Sequence, residues 1–127
     1  MKIVILAAIL VAGPALAAGD VDCNTAVTQF DMNRCADKDY QAADKVLNEI
    51  YKKALAAQEG DDEKLKAAQR AWIVFRDAEC DFRTESDEGG SIQPMDRALC
   101  MAALTKERAK QLRDYLGCQK DASKCGE

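Results

Sequence analysis

The 127-residue chain contains no histidine. That removes the commonest general base near neutral pH and the commonest metal ligand. Proline is almost as scarce. Of the two present, only Pro94 lies outside the N-terminal segment, so little interrupts a helix. Aromatic residues are 6% of the chain, with Trp72 the single tryptophan. Beyond the first turns β-branched residues are sparse, which disfavours strands. No Cys-x-x-Cys occurs, so neither a zinc site nor thioredoxin-like redox chemistry has its spacing. No serine has a plausible base, and no glycine-rich phosphate loop follows a strand pattern. Carboxylate pairs are common but fall on polar helix faces, leaving a carboxylate hydrolase as the weakest reading. The chain is expected to be neither an enzyme nor a holder of a cofactor or metal.

What is present is an export signal followed by six cysteines. Met1-Lys2 is a short positive region, and Ile3 to Val11 is apolar but too short to span a bilayer. Ala15-Leu16-Ala17 fits the small-residue cleavage rule, so residues 1–17 are expected to be removed. Cys23 lies past the cleavage point, which argues against a lipid anchor. The expected location is periplasmic or secreted, with no membrane association after cleavage. Residues 18–127 then form one domain, with 118–127 as a cysteine-bearing tail. Loss of Lys2 leaves 17 basic against 22 acidic residues, a net charge of −5. That disfavours nucleic acid and anionic membranes and favours a basic partner.

The remaining composition is helical, rich in Ala, Lys, Glu, Gln, Leu and Arg. The first helix is expected over about 28–58, carrying Leu47 and broken near Asn33 to Asp37. The second is expected over about 62–85, with Leu65, Ala68, Trp72, Phe75, Cys80 and Phe82 as its apolar stripe. A glycine-bearing acidic loop follows, and Pro94 suits the first turn of a third helix. That helix turns Leu99, Met101, Leu104, Leu112 and Tyr115 inward and stops at Gly117. The architecture is all-α, an antiparallel three-helix bundle stapled by disulfides. Leu47, Trp72, Leu104 and Leu112 are its expected core. Trp72 could instead stack on a sugar, but a tryptophan at helical spacing is more often core.

Six cysteines after an export signal imply three disulfides. Cys80 and Cys100 flank Gly89-Gly90 at similar distances, so an antiparallel hairpin brings them face to face. Cys23 can fold back onto Cys35. That leaves Cys118 with Cys125. The rival arrangement joins Cys23 to Cys118 or Cys125.

Several polar residues fall on packing faces. Asp44 and Asn48 share one side of the first helix, with Tyr51 a turn further on. Arg76 lies between Trp72 and Cys80, and Arg108 between Leu104 and Leu112. A buried charge needs a partner, so Asp44 is expected to meet Arg76 or Arg108, with Asn48 bridging. The favoured reading is an internal network fixing helix register. The rival is a ligand site. The surface candidate is the loop carrying Asp87, Glu88, Gly89, Gly90, Ser91 and Gln93. It reads either as a plain helix connection or as a partner contact.

The ordered set Tyr40-x3-Asp44-x2-Leu47-Asn48-x2-Tyr51, Leu65-x3-Gln69-x2-Trp72-x3-Arg76-Asp77-x2-Cys80, Gly89-Gly90-Ser91-Ile92, Cys100 and Leu104-Thr105-x2-Arg108-x3-Leu112 resembles the LprI-type lysozyme-inhibitor domain. The resemblance covers about Cys23 to Leu116 and leaves out Cys118 and Cys125. It implies a small exported helical protein that binds a lysozyme. Lysozymes are commonly basic, so the acid content of the loop gives the further expectation that it is steered to the enzyme, with Ser91 or Gln93 reaching the cleft. The alternative is a periplasmic structural or interaction module without lysozyme inhibition.

Overall fold

The computed structural model describes residues 19–58 and 62–124. The expected leader and Cys125, and with it the Cys118–Cys125 pair, lie outside the described residues. Three helices carry the fold: α1 (Gln29–Ala56), α2 (Asp62–Arg83) and α3 (Gln93–Lys120). Short 3-10 turns stand at Glu85–Asp87 and Ala122–Lys124.

Local chemistry sets the helix ends. The Thr28 hydroxyl oxygen accepts from the Asp31 backbone N–H at 3.1 Å, and that hydroxyl donates to the Asp31 carboxylate at 2.7 Å. This reciprocal cap satisfies an otherwise orphan donor and puts a carboxylate at the positive end of the helix. Pro94 sits in the first turn of α3, where its missing N–H costs nothing.

Partner numbering gives the directions. Asn33 bonds to Ser91, Asp39 to Lys106 and Gln58 to Tyr115, so α1 and α3 run parallel. Gln69 bonds to Arg108, Arg76 to Thr105 and Cys80 to Cys100, so α2 runs antiparallel to α3. The result is an up-down-up bundle with two disulfides among the described residues, Cys23–Cys35 and Cys80–Cys100, each as expected.

The layers are unequal. Buried alanines Ala36, Ala43 and Ala54 on α1 and Ala102 and Ala109 on α3 let these two helices approach closely. The core cluster of Leu47, Ile50, Ala109 and Leu112 lies in their seam. Trp72, Leu65, Tyr51 and Leu116 pack against it while half-buried. Leu104 is half-buried as well. A fully buried leucine contributes roughly 1.5–3 kcal/mol, so the α1–α3 seam holds much of the apolar stabilisation. In contrast, α2 buries Gln69, Arg76 and Cys80, and stands off on long side chains.

Three expectations are corrected. First, α1 is unbroken across Asn33 to Asp37. The Asn33 side chain accepts from Gln29 and donates to Ser91, so it does not compete for its own backbone. Second, α3 runs through Gly117 to Lys120. Leu116 packs on the core and Gln119 bonds to the Tyr115 hydroxyl, which offsets the roughly 1 kcal/mol cost of a helical glycine. Third, Ala68, Phe75, Phe82, Leu99 and Tyr115 are exposed rather than inward. Around α2, Phe75 and Phe82 lie about 100° and about 120° from Arg76, beyond the buried side. Spacing alone had merged two faces into one stripe.

Candidate functional site

The α2–α3 junction is a braced surface segment. Cys80 is fully buried and joined to Cys100, with the two Cα atoms 5.7 Å apart. One turn later Thr84, also buried, donates its hydroxyl to the Cys80 carbonyl at 2.8 Å. A ladder of backbone bonds follows: Asp87 N to Thr84 O, Glu88 N to Glu85 O, Gly90 N to Asp87 O and Gln93 N to Gly90 O. Gly89 has φ +78°, a left-handed conformation that glycine adopts without penalty. A Cβ on Gly90 would lie 3.0 Å from the Asp87 carbonyl oxygen, so that close approach also favours glycine.

Side chains complete the brace. The Gln93 side-chain carbonyl accepts from Gly89 N at 3.2 Å, and the Asn33 amide of α1 donates to the Ser91 carbonyl at 3.1 Å. Glu88, Gly89, Gly90 and Ser91 are therefore exposed on a fixed backbone, while Asp87 and Gln93 are half-buried. Glu85 adds a further exposed acid. The arrangement offers carboxylates, backbone groups and a serine hydroxyl in a set shape. It offers no nucleophile–base pair.

The expected polar network divides in two. Arg76 is the buried hub. Its guanidinium lies 5.1 Å from the Trp72 ring centroid and 5.3 Å from that of Tyr40. It pairs with Asp77 at 2.8 Å, reaches Asp44 at 3.6 Å, and donates to the Thr105 hydroxyl at 3.5 Å. Asn48 donates to Asp44 at 2.9 Å, so it holds that carboxylate from the same helix rather than bridging it to an arginine. Arg108 is not part of this group. It donates to Gln69 and Gln111, and its guanidinium lies 6.0 Å from the Trp72 ring centroid. Burial lowers its pKa, yet an arginine remains charged. Trp72 thus stands between two cations, an arrangement in which ring and guanidinium attract.

Sequence reasoning missed Gln69, Asp77 and Thr105 as members of these groups. Gln69 lies one turn before Trp72 and two turns before Arg76, and Thr105 directly follows Leu104, so helical phase carried a signal. Burial also pushes the Tyr40 hydroxyl pKa up, against a smaller opposing effect of the Arg76 charge. Among the described residues no group of three or more His, Cys, Asp or Glu is placed to hold a metal ion. No helix there is long and apolar enough to cross a membrane.

Comparison with known proteins is consistent with this frame. The family model described as "Lysozyme inhibitor LprI" matches residues 22–112. An uncharacterized protein of Rhizobium meliloti (strain 1021) is 40% identical, over 75% of this chain and 78% of the relative. No solved structure matches.

Proposed function

From the premise that the chain belongs to the lysozyme inhibitor LprI family, we propose that it is an exported binding protein that blocks the cleft of a lysozyme with the acidic α2–α3 loop. The observation that carries this reading is the loop's internal bracing. Its backbone groups bond within the junction and to Asn33, a disulfide closes its base, and Glu85, Glu88 and Ser91 face solvent. A loop already fixed loses little entropy on docking. The acidic balance of the chain favours encounter with a basic enzyme, and added salt is expected to slow that encounter.

The test is clearing of a cell-wall suspension by lysozyme, with and without the oxidised protein. Slower clearing that is relieved in the double variant Asp87→Lys, Glu88→Lys is the expected result. Unchanged clearing at large excess, across several lysozyme types, would sink the proposal. A second reading is an interaction module of the periplasm without inhibition. The apolar outer face of α2 favours it.

A further inference from the structure

α2 is apolar on two faces. Its inward side carries Leu65, Trp72 and Cys80 together with Gln69 and Arg76, the last two each 6% exposed. Its outward side carries Val74 at 69%, Phe75 at 54% and Phe82 at 71% exposure. The exposed Ala68, Ala71 and Ala78 lie among them, so one stripe runs along the solvent face. A surface helix normally turns a polar face to solvent, and a contiguous apolar stripe of this kind marks an interaction surface.

We infer that this face is the interface of a homodimer, in which α2 packs antiparallel against α2 of a second copy about a two-fold axis at Phe75. Two independent features of the stripe select this occupant and this register. The first is size. The stripe is small at its N-terminal end, with Ala68 and Ala71, and large at its C-terminal end, with Phe82. An antiparallel two-fold at Phe75 sets Phe82, seven residues after the axis, over Ala68, seven residues before it. The partner's Phe82 fills the reciprocal space, as a two-fold interface requires.

The second feature is charge. Arg70 and Asp81 lie on the same edge of the stripe, about 20° apart around the helix. In an antiparallel pair, residues on the same edge and at similar distance from the axis meet. Arg70 lies five residues before Phe75 and Asp81 six after it. Each Arg70 therefore falls opposite the other copy's Asp81, twice by symmetry. Both side chains are exposed, and Asp81 remains in reach while paired with Arg97 at 2.6 Å. A parallel pairing would set Phe82 on Phe82, Arg70 on Arg70 and Asp81 on Asp81.

The stripe from Ala68 to Phe82 is about 20 Å long at the helical rise. One helix face buries less than a standard interface of about 1,600 Å², so the association is of the weak, reversible kind. Equilibrium sedimentation of the oxidised mature chain, from about 1 μM to about 1 mM, is expected to show the mass rising toward twice the monomer value. Phe82→Glu and Val74→Glu, at exposed positions, keep the helical circular dichroism and raise Kd at least about tenfold. Arg70→Glu weakens association, and adding Asp81→Lys to it restores association. A chain that stays monomeric throughout, or a dimer indifferent to Phe82→Glu and Val74→Glu, overturns the inference. Failure of the second charge change to rescue the first overturns the register and the interface built on it.

Discussion

Replacing Arg76 tests what holds α2 against the rest of the bundle. Its side chain is 7% exposed, whereas those of its partners Asp44 and Asp77 are 39% and 43% exposed. Removing the arginine therefore leaves two carboxylates that water can reach, so the cost is below that of stranding a buried charge. What is lost is stacking on Trp72 and Tyr40, about 0.5–2 kcal/mol for each ring. The Thr105 hydrogen bond adds about 1 kcal/mol, and the arginine stem packs as an apolar spacer. Arg76→Ala is expected to cost about 2–4 kcal/mol. That corresponds to a fall in Tm on the order of 10–20 °C for a domain of this size. Arg76→Met, which keeps much of the volume, is expected to recover part of the loss. Asp44→Asn should cost less than about 1 kcal/mol, because the ion pair is long and partly hydrated. Urea unfolding of the three variants, compared at unchanged m, measures this order. If Asp44→Asn were as damaging as Arg76→Ala, the Asp44 ion pair rather than the aromatic cage would be the fastener. A loss below about 1 kcal/mol for Arg76→Ala would refute both accounts.

Three further outcomes are expected. Cys80→Ala with Cys100→Ala opens a link spanning 20 residues and is expected to cost about 3 kcal/mol from loop closure, with extra loss from the void at Cys80; urea unfolding checks it, and an unchanged midpoint would contradict it. Gly89→Ala forces an L side chain to φ +78° and should cost about 1 kcal/mol, whereas Ser91→Ala, at an exposed side chain, should be close to neutral. The Tyr40 pKa is raised mainly by burial, so its contribution to stability is fully present below the unfolded value near 10 and is lost as pH rises through the folded value. Unfolding at alkaline pH should therefore show a steeper loss in the parent protein than in Tyr40→Phe, and equal slopes would deny that role to Tyr40.

Much of the fold was legible because it depends on neighbours in sequence. The first helix starts near Thr28, Pro94 starts α3, and the glycine-rich turn separates α2 from α3. The hairpin geometry around Gly89-Gly90 was enough to pair Cys80 with Cys100. The Asp44–Asn48 contact followed from a four-residue spacing on one helix. Arg108 went elsewhere because its partner is chosen across helices, where Gln69 of α2 is nearer. Gly117 was misread for a related reason. A glycine ends a helix only when nothing beyond it packs, and here Leu116 and Gln119 hold the last turns.

The helices, their order and the Cys80–Cys100 pair were readable in the sequence, the export signal was an expectation, and the choice of Cys35 over the tail cysteines for Cys23 came from the folded chain. Local propensity, capping and chain connectivity act over a few residues and leave a readable trace. Only the tertiary structure decided which side of α2 is inside. Alanines draw α1 and α3 together, so their seam takes the leucine core. α2 must then rest on what remains, the cage of Trp72, Tyr40 and Arg76. That choice of phase turned Phe75 and Phe82 outward, and periodicity cannot supply it, because a helix has apolar residues on two faces and its neighbours select one.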